Sequence, residues 1–427
     1  MKRRALLTAV ATSGAMAVAG CSMASRSCGP PKETFKQPRD RWPTAGYGPT
    51  NTAHASGGPS NGEIQWQTDR EAGEGPRLNG VFSEPIVDDG AVYVTLRHLD
   101  PYELEYPGYL VALDDETGEL QWRVELPSLA GGDPALAGDT IFIGGEGGQL
   151  HAISTAGEQR WTQELGAAVR TPTVIGGQVY VLDASATVHG FTLDGERCWE
   201  YDQSDFLGSL LGGGSFAVDS APAIDGSRVY VTVQEDPDRE RIGHVLAFDQ
   251  EGNEEWRYSF PTGYEAPNTP AVVNGTVLVT GGDQILALDS RTGELRWRFV
   301  VGHDHTGAPA TDGERVYIGA KNLYALDIED GSEHWRVVNH GVGGSPGWAR
   351  SIPFIARPAV TDDAVYLRAG AFDPHDGSRL WGDLAEEAVM GSNYATRSYG
   401  RRSIAPLSVT ADALYLSHQI EGVTKVA

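Results

Sequence analysis

His303, Asp304 and His305, in the stretch GHDHTG at residues 302–307, bring two imidazoles and a carboxylate within three positions, and His340 follows further on. These groups suit a divalent metal, but two histidines one residue apart without a fixed third ligand recur by chance and do not define a site. Acidic turns are a second candidate. Asp114, Asp289, Asp327 and Asp373 each open a short loop closed by glycine. A calcium loop places oxygen ligands at every other position, and these loops do not. Their carboxylates are expected to accept turn N–H bonds, with the glycine supplying a positive φ. The three cysteines, Cys21, Cys28 and Cys198, show no metal-ligand spacing.

Cys21 has a different chemistry on offer. The chain begins MKRRALLTAVATSGAMAVAGC: three basic residues, an alanine-rich apolar run too short and too interrupted to span a bilayer, then small residues. VAGC at residues 18–21 looks like a lipobox, which predicts cleavage after residue 20 and lipidation of Cys21. The Arg3-Arg4 pair resembles a twin-arginine export signal, and the choice between that route and general secretion stays open. The expected organisation is a signal peptide over residues 1–20, a lipidated tether over 21–61 and a repeat domain over 62–427. Outside the cytoplasm Cys28 and Cys198 could pair, although a flexible tether weighs against it.

Loss of residues 1–20, which carry three basic and no acidic groups, takes the formal charge from −25 to −28. Such a surface offers no basic footprint for nucleic acid. Only five of the 33 basic residues are lysine, a bias that resembles proteins of salt-loving archaea, where dense carboxylates maintain hydration.

What must hold any site is a repeat. Gly-x-x-x-Trp occurs eight times: Gly62/Trp66, Gly118/Trp122, Gly157/Trp161, Gly195/Trp199, Gly252/Trp256, Gly293/Trp297, Gly331/Trp335 and Gly377/Trp381. A proline opens an apolar strand eight times as well, at Pro85, Pro134, Pro172, Pro222, Pro270, Pro309, Pro358 and Pro406. Between the marks lie strands such as AVYVT and LYALD, giving four strands per unit of about forty residues, the signature of a propeller blade. No amphipathic helical segments separate them, which disfavours a parallel α/β fold. One Trp strand precedes the first proline and none follows the last. The predicted fold is therefore an all-β, eight-bladed β-propeller of four-stranded antiparallel blades, closed by the N-terminal strand, which hides edges that an open ring exposes.

The units AVYVT…GYLVALDDETGELQW and RVYIGAKNLYALDIEDGSEHW resemble the PQQ-like repeat of quinoprotein-type β-propellers over residues 62–427. Two functional types carry that repeat: pyrroloquinoline quinone (PQQ) dehydrogenases and BamB-like lipoprotein scaffolds. The first implies a quinone and Ca²⁺ in the channel, with the quinone against a disulfide of adjacent cysteines. No two cysteines adjoin here, and no Glu, Asn and Asp set carries over. No cofactor is therefore expected, with PQQ and Ca²⁺ as the alternative; the scaffold type implies a protein partner.

Up-and-down strands put the links between blades, and between second and third strands, on one face. The long excursions, 97–108, 201–220, 235–243, 338–355 and 382–403, all fall there. Long loops on a rigid scaffold carry function. Their aromatic and arginine residues, Tyr102, Tyr106, Trp348, Arg350, Tyr394, Arg397, Tyr399, Arg401 and Arg402, are the types that anchor protein interfaces. Residues just before the proline marks, Glu84, Asp133, Arg170, Asp219, Asn268, His305 and Arg357, are expected to ring the channel mouth on this long-loop face, around water or a small polar ligand. The function expected is that of an exported scaffold, anchored to the cell membrane by Cys21 and binding a partner through this face.

Overall fold

Valine, isoleucine, leucine and tyrosine fill the stretches between turns, residues whose branched or aromatic side chains suit a pleated surface. In the computed structural model those stretches are strands, the only regular secondary structure among the described residues. The description covers residues 41–68, 80–98, 108–130, 132–202, 215–218, 220–236, 241–263, 266–302, 305–338, 356–367, 370–381, 407–418 and 422–427. They form eight antiparallel sheets, each with its strands in the order inner to outer. Blade two is typical, with Ala135–Ala137, Thr140–Gly144, Gln149–Ser154 and Gln159–Glu164 paired in sequence. In blades one and four the first strand is split, as Gly80–Phe82 with Ile86–Asp88 and Ser215–Ala217 with Ala223–Ile224.

The eighth blade is built from both ends of the chain. Leu407–Val409, Leu414–His418 and Gly422–Val426 are completed by Ile64–Gln67, with Ile64 opposite Val426 and Gln67 opposite Thr424. The eight-bladed ring closed by an early strand is as the marks predict.

The Gly-x-x-x-Trp phrase joins each blade to the next. Trp297 lies against Gly331 of the following blade and donates its indole N–H to the Ile328 carbonyl at 2.8 Å. Trp66 does the same across the closure, against Gly118 and the Asp115 carbonyl at 2.7 Å, and Trp381 lies against Gly62. Asp289 shows the work of the acidic turn: one oxygen accepts the N–H groups of Arg291 and Thr292, each at 3.0 Å. A hydrogen bond from Arg296, and those backbone donors, hold its carboxyl well below the usual range. Gly331 has φ +73, and a Cβ there would stand 2.5 Å from the Trp297 ring. Gly331→Ala should therefore cost about 2 kcal/mol from the left-handed backbone, with further loss from displacing the indole. Denaturant unfolding with an unchanged m value is the check.

Of the residues assigned to the tether, 42–57 pack inside the ring. From Trp42 the chain enters the channel and runs around its wall. Trp42 and Val87 exchange both backbone hydrogen bonds; the Pro43, Pro49, Thr50, Thr52 and Ala53 carbonyls then accept from Leu136, Ile224, Val272, Thr311 and Val360. These donors sit on the inner strands of blades one, two and four to seven, whose inward edges are otherwise unpaired. Trp42, Tyr47, Asn51, Ala53 and Ala55 are buried. The circuit ends at blade eight, where Gly57 packs on the Ala411 backbone. The physical reason for the difference is that strand edges recruit backbone, whatever side chains it carries.

Candidate functional site

The residues before the proline marks form a belt from blade to blade. The backbone N–H of Glu84 donates to Asp133 Oδ1 at 2.8 Å, and that of Asp133 to Thr171 Oγ1 at 2.9 Å. Arg170 turns sideways, giving Nε–H to the Val218 carbonyl at 2.8 Å and Nη1–H to Glu146 at 3.2 Å. Asn268 Nδ2 bridges Thr280 Oγ1 at 3.0 Å and the Thr306 carbonyl at 2.9 Å. His305 is half-buried in the link that precedes the inner strand of blade six. Asp219 lies outside the described residues, as do His303, Asp304 and His340.

Glu84 and Arg357 face the axis, and what they meet there is the chain itself. Glu84 Oε1 accepts from Trp42 Nε1 and from the Gly46 N–H, both at 2.8 Å. A Cβ at Gly46, which has φ +74, would stand 2.1 Å from Arg357 Nη1, so the guanidinium lies directly on this glycine. Burial pushes the Glu84 carboxyl up to about 7; Asp133 raises it further, while Arg357 and the two N–H donors oppose the rise. These polar groups therefore clamp residues 42–46. A Trp and a Tyr inside a presumed tether, Trp42 and Tyr47, were the available signal for this clamp.

The long-loop candidates Tyr102, Tyr106, Trp348, Arg350, Tyr394, Arg397, Tyr399, Arg401 and Arg402 lie outside the described residues, as does Cys21. The strand ends that flank them do not. His98 and Gly108, Val337 and Ala359, and Trp381 and Leu407 each bound a link between second and third strands or between blades. The antiparallel order puts all three links on the same face.

A quinone site does not fit this axis. Residues 42–57 run through the channel, no adjacent cysteines exist, and among the described residues no three His, Cys, Asp or Glu side chains gather as metal ligands.

The family model described as outer membrane protein assembly factor BamB matches residues 107–263 and 241–424, most of the ring. The chain belongs to the BamB family of PQQ-like propellers. The BamB of Salmonella typhimurium is 30% identical over 156 residues, 35% of this chain and 37% of that protein. The chain thus spans well under two thirds of that relative. The crystal structure of BamB from Moraxella catarrhalis matches with a TM-score of 0.52 at 16% identity, covering 88% of this chain and 96% of that one. Quinohemoprotein alcohol dehydrogenase from Comamonas testosteroni matches with a TM-score of 0.63 at 13% identity, covering 91% of this chain and 80% of that one. At these identities both structures show the shared propeller fold alone.

Proposed function

We propose that this BamB-family propeller is an exported, membrane-anchored scaffold that binds a protein partner through its long-loop face and performs no chemistry of its own. The observation that supports it best is the filled axis: the place where a propeller of this repeat type would take a cofactor is threaded by residues 42–57. What remains elaborated is the face that carries Trp348, Tyr394 and Tyr399. The relatives named as assembly factors support a protein as partner class. A lipid on Cys21 supplies the anchor, and the carboxylate-rich surface suits high salt.

An aromatic anchor truncated to alanine costs about 2 kcal/mol or more in binding, roughly thirtyfold. Trp348→Ala should therefore lose partner capture at native salt, while Glu294→Ala, on the opposite short-turn face, retains it. Equal capture by both variants contradicts the face assignment. Cys21→Ser should move the protein from the membrane fraction to the soluble one, and retention through high salt and alkaline wash would overturn the anchor. Dye-linked alcohol oxidation with added PQQ would overturn the scaffold reading itself.

A further inference from the structure

In the outer strands the residue just before the repeat tryptophan is bulged, as the register shifts between Ile64 and Trp66 and between Gln159 and Trp161 show. Gln65, Gln121, Arg160, Glu255, Arg296 and His334 occupy this place and are exposed. Cys198 occupies it in blade three and is only 1% exposed. Trp199 beside it departs too: among the described residues its Nε1 has no hydrogen-bond partner, whereas Trp161 and Trp256 donate to the next blade. Cys198 is disulfide-bonded. The other two cysteines, Cys21 and Cys28, both precede the ring in sequence and lie outside the described residues.

We propose that Cys198 is joined to Cys28, and that this clip holds the short-turn face of the disc toward the anchoring membrane. The inference rests on the anchor reading above, in which lipid occupies Cys21 and leaves Cys28 as the partner. Cys198 is the second residue of Arg197–Asp202, directly after the turn closed by Gly195, and so sits at the short-turn face. The chain enters the channel at that same face, where Arg41 Nε lies 2.8 Å from Asp88 Oδ1 at the end of Ile86–Asp88. From Cys21 to Arg41 a free tether could extend about 70 Å, enough for the disc to turn over. From Cys21 to a fixed Cys28 it extends only about 25 Å, which keeps the clipped face near the lipid. The long-loop face then points away from the membrane.

Formation of the clip is a two-electron oxidation. The two Sγ atoms bond as both S–H bonds are lost, two protons go to solvent, and two electrons reduce a disulfide-donating oxidant to its dithiol. The lipidated full-length protein, alkylated without reduction and digested, should yield one peptide pair linking Cys28 to Cys198 that separates on reduction. In Cys198→Ser, Cys28 should become alkylated. Alkylation of both cysteines in the unreduced parent overturns the clip, and a Cys21 to Cys198 link overturns clip and anchor together. Orientation is read in vesicles carrying a headgroup quencher, with a fluorophore on Glu294→Cys at the short-turn face or Lys321→Cys at the long-loop face. Quenching should be several-fold stronger at 294, and the contrast should vanish when Cys28→Ser and Cys198→Ser are combined. Equal quenching in the clipped protein overturns the orientation. Failure of Cys21→Ser to leave the vesicles would instead count against the anchor alone.

Discussion

Trp42→Ala should cost about 3–5 kcal/mol of folding stability, the range for truncating a large buried aromatic. Trp42 is 0% exposed, its ring lies 5.0 Å from that of Tyr47, and its indole N–H is held by Glu84. Removing it opens a cavity on the axis and takes one of two donors from a buried carboxyl. The comparison is Leu120→Ala, at an exposed outer-strand position, expected to change stability by less than about 0.5 kcal/mol. Denaturant midpoints at constant m value decide it. A Trp42→Ala loss below about 1 kcal/mol would mean that residues 42–57 only rest in the channel.

Glu84 should make the fold less stable as pH rises, the reverse of a salt-bridged carboxylate. Its folded value is raised to about 7 from 4.5, chiefly by burial. Below 4.5 the group is protonated in both states and its contribution is fully present. Between 4.5 and 7 the unfolded chain has released the proton that the folded chain retains, so stability falls, by about 3 kcal/mol in all. Above 7 the loss levels off. Glu84→Gln keeps an oxygen acceptor for Trp42 and Gly46 without a charge to bury. The variant should show a flatter profile over that window and exceed the parent in stability at pH 8. A parent with no decline between pH 5 and 7.5 would contradict the placement of this carboxyl.

The ring was legible because its signals lie in side chains at fixed spacing. Only glycine tolerates the close approach of the previous blade's indole, as at Gly331 under Trp297, so the phrase had to recur wherever blades meet. Residues 42–57 were not legible for the converse reason. Their hold on the blades is made by the carbonyls of Pro43, Pro49, Thr50, Thr52 and Ala53, groups that every residue possesses, so no periodicity records it. The mouth residues were recognisable by polarity but not by direction. Nothing in the sequence distinguishes Arg170, which reaches sideways to Val218 and Glu146, from Arg357, which lies on Gly46.

The course of residues 42–57 also orders the assembly of the ring. This stretch precedes every blade in the chain, so as the protein is synthesised or translocated the spindle arrives before any part of the wheel. Each later inner strand, from Val87 to Val360, meets a backbone on which to dock, and no finished ring has to be threaded. The rim waits longest: Ile64 must stay unpaired until Val426 emerges, because that partner lies in the last strand of the ring. A chain that stops just short of Gly422–Val426 therefore holds an axis and seven complete blades, with the open edge of Ile64–Gln67 still seeking a neighbour.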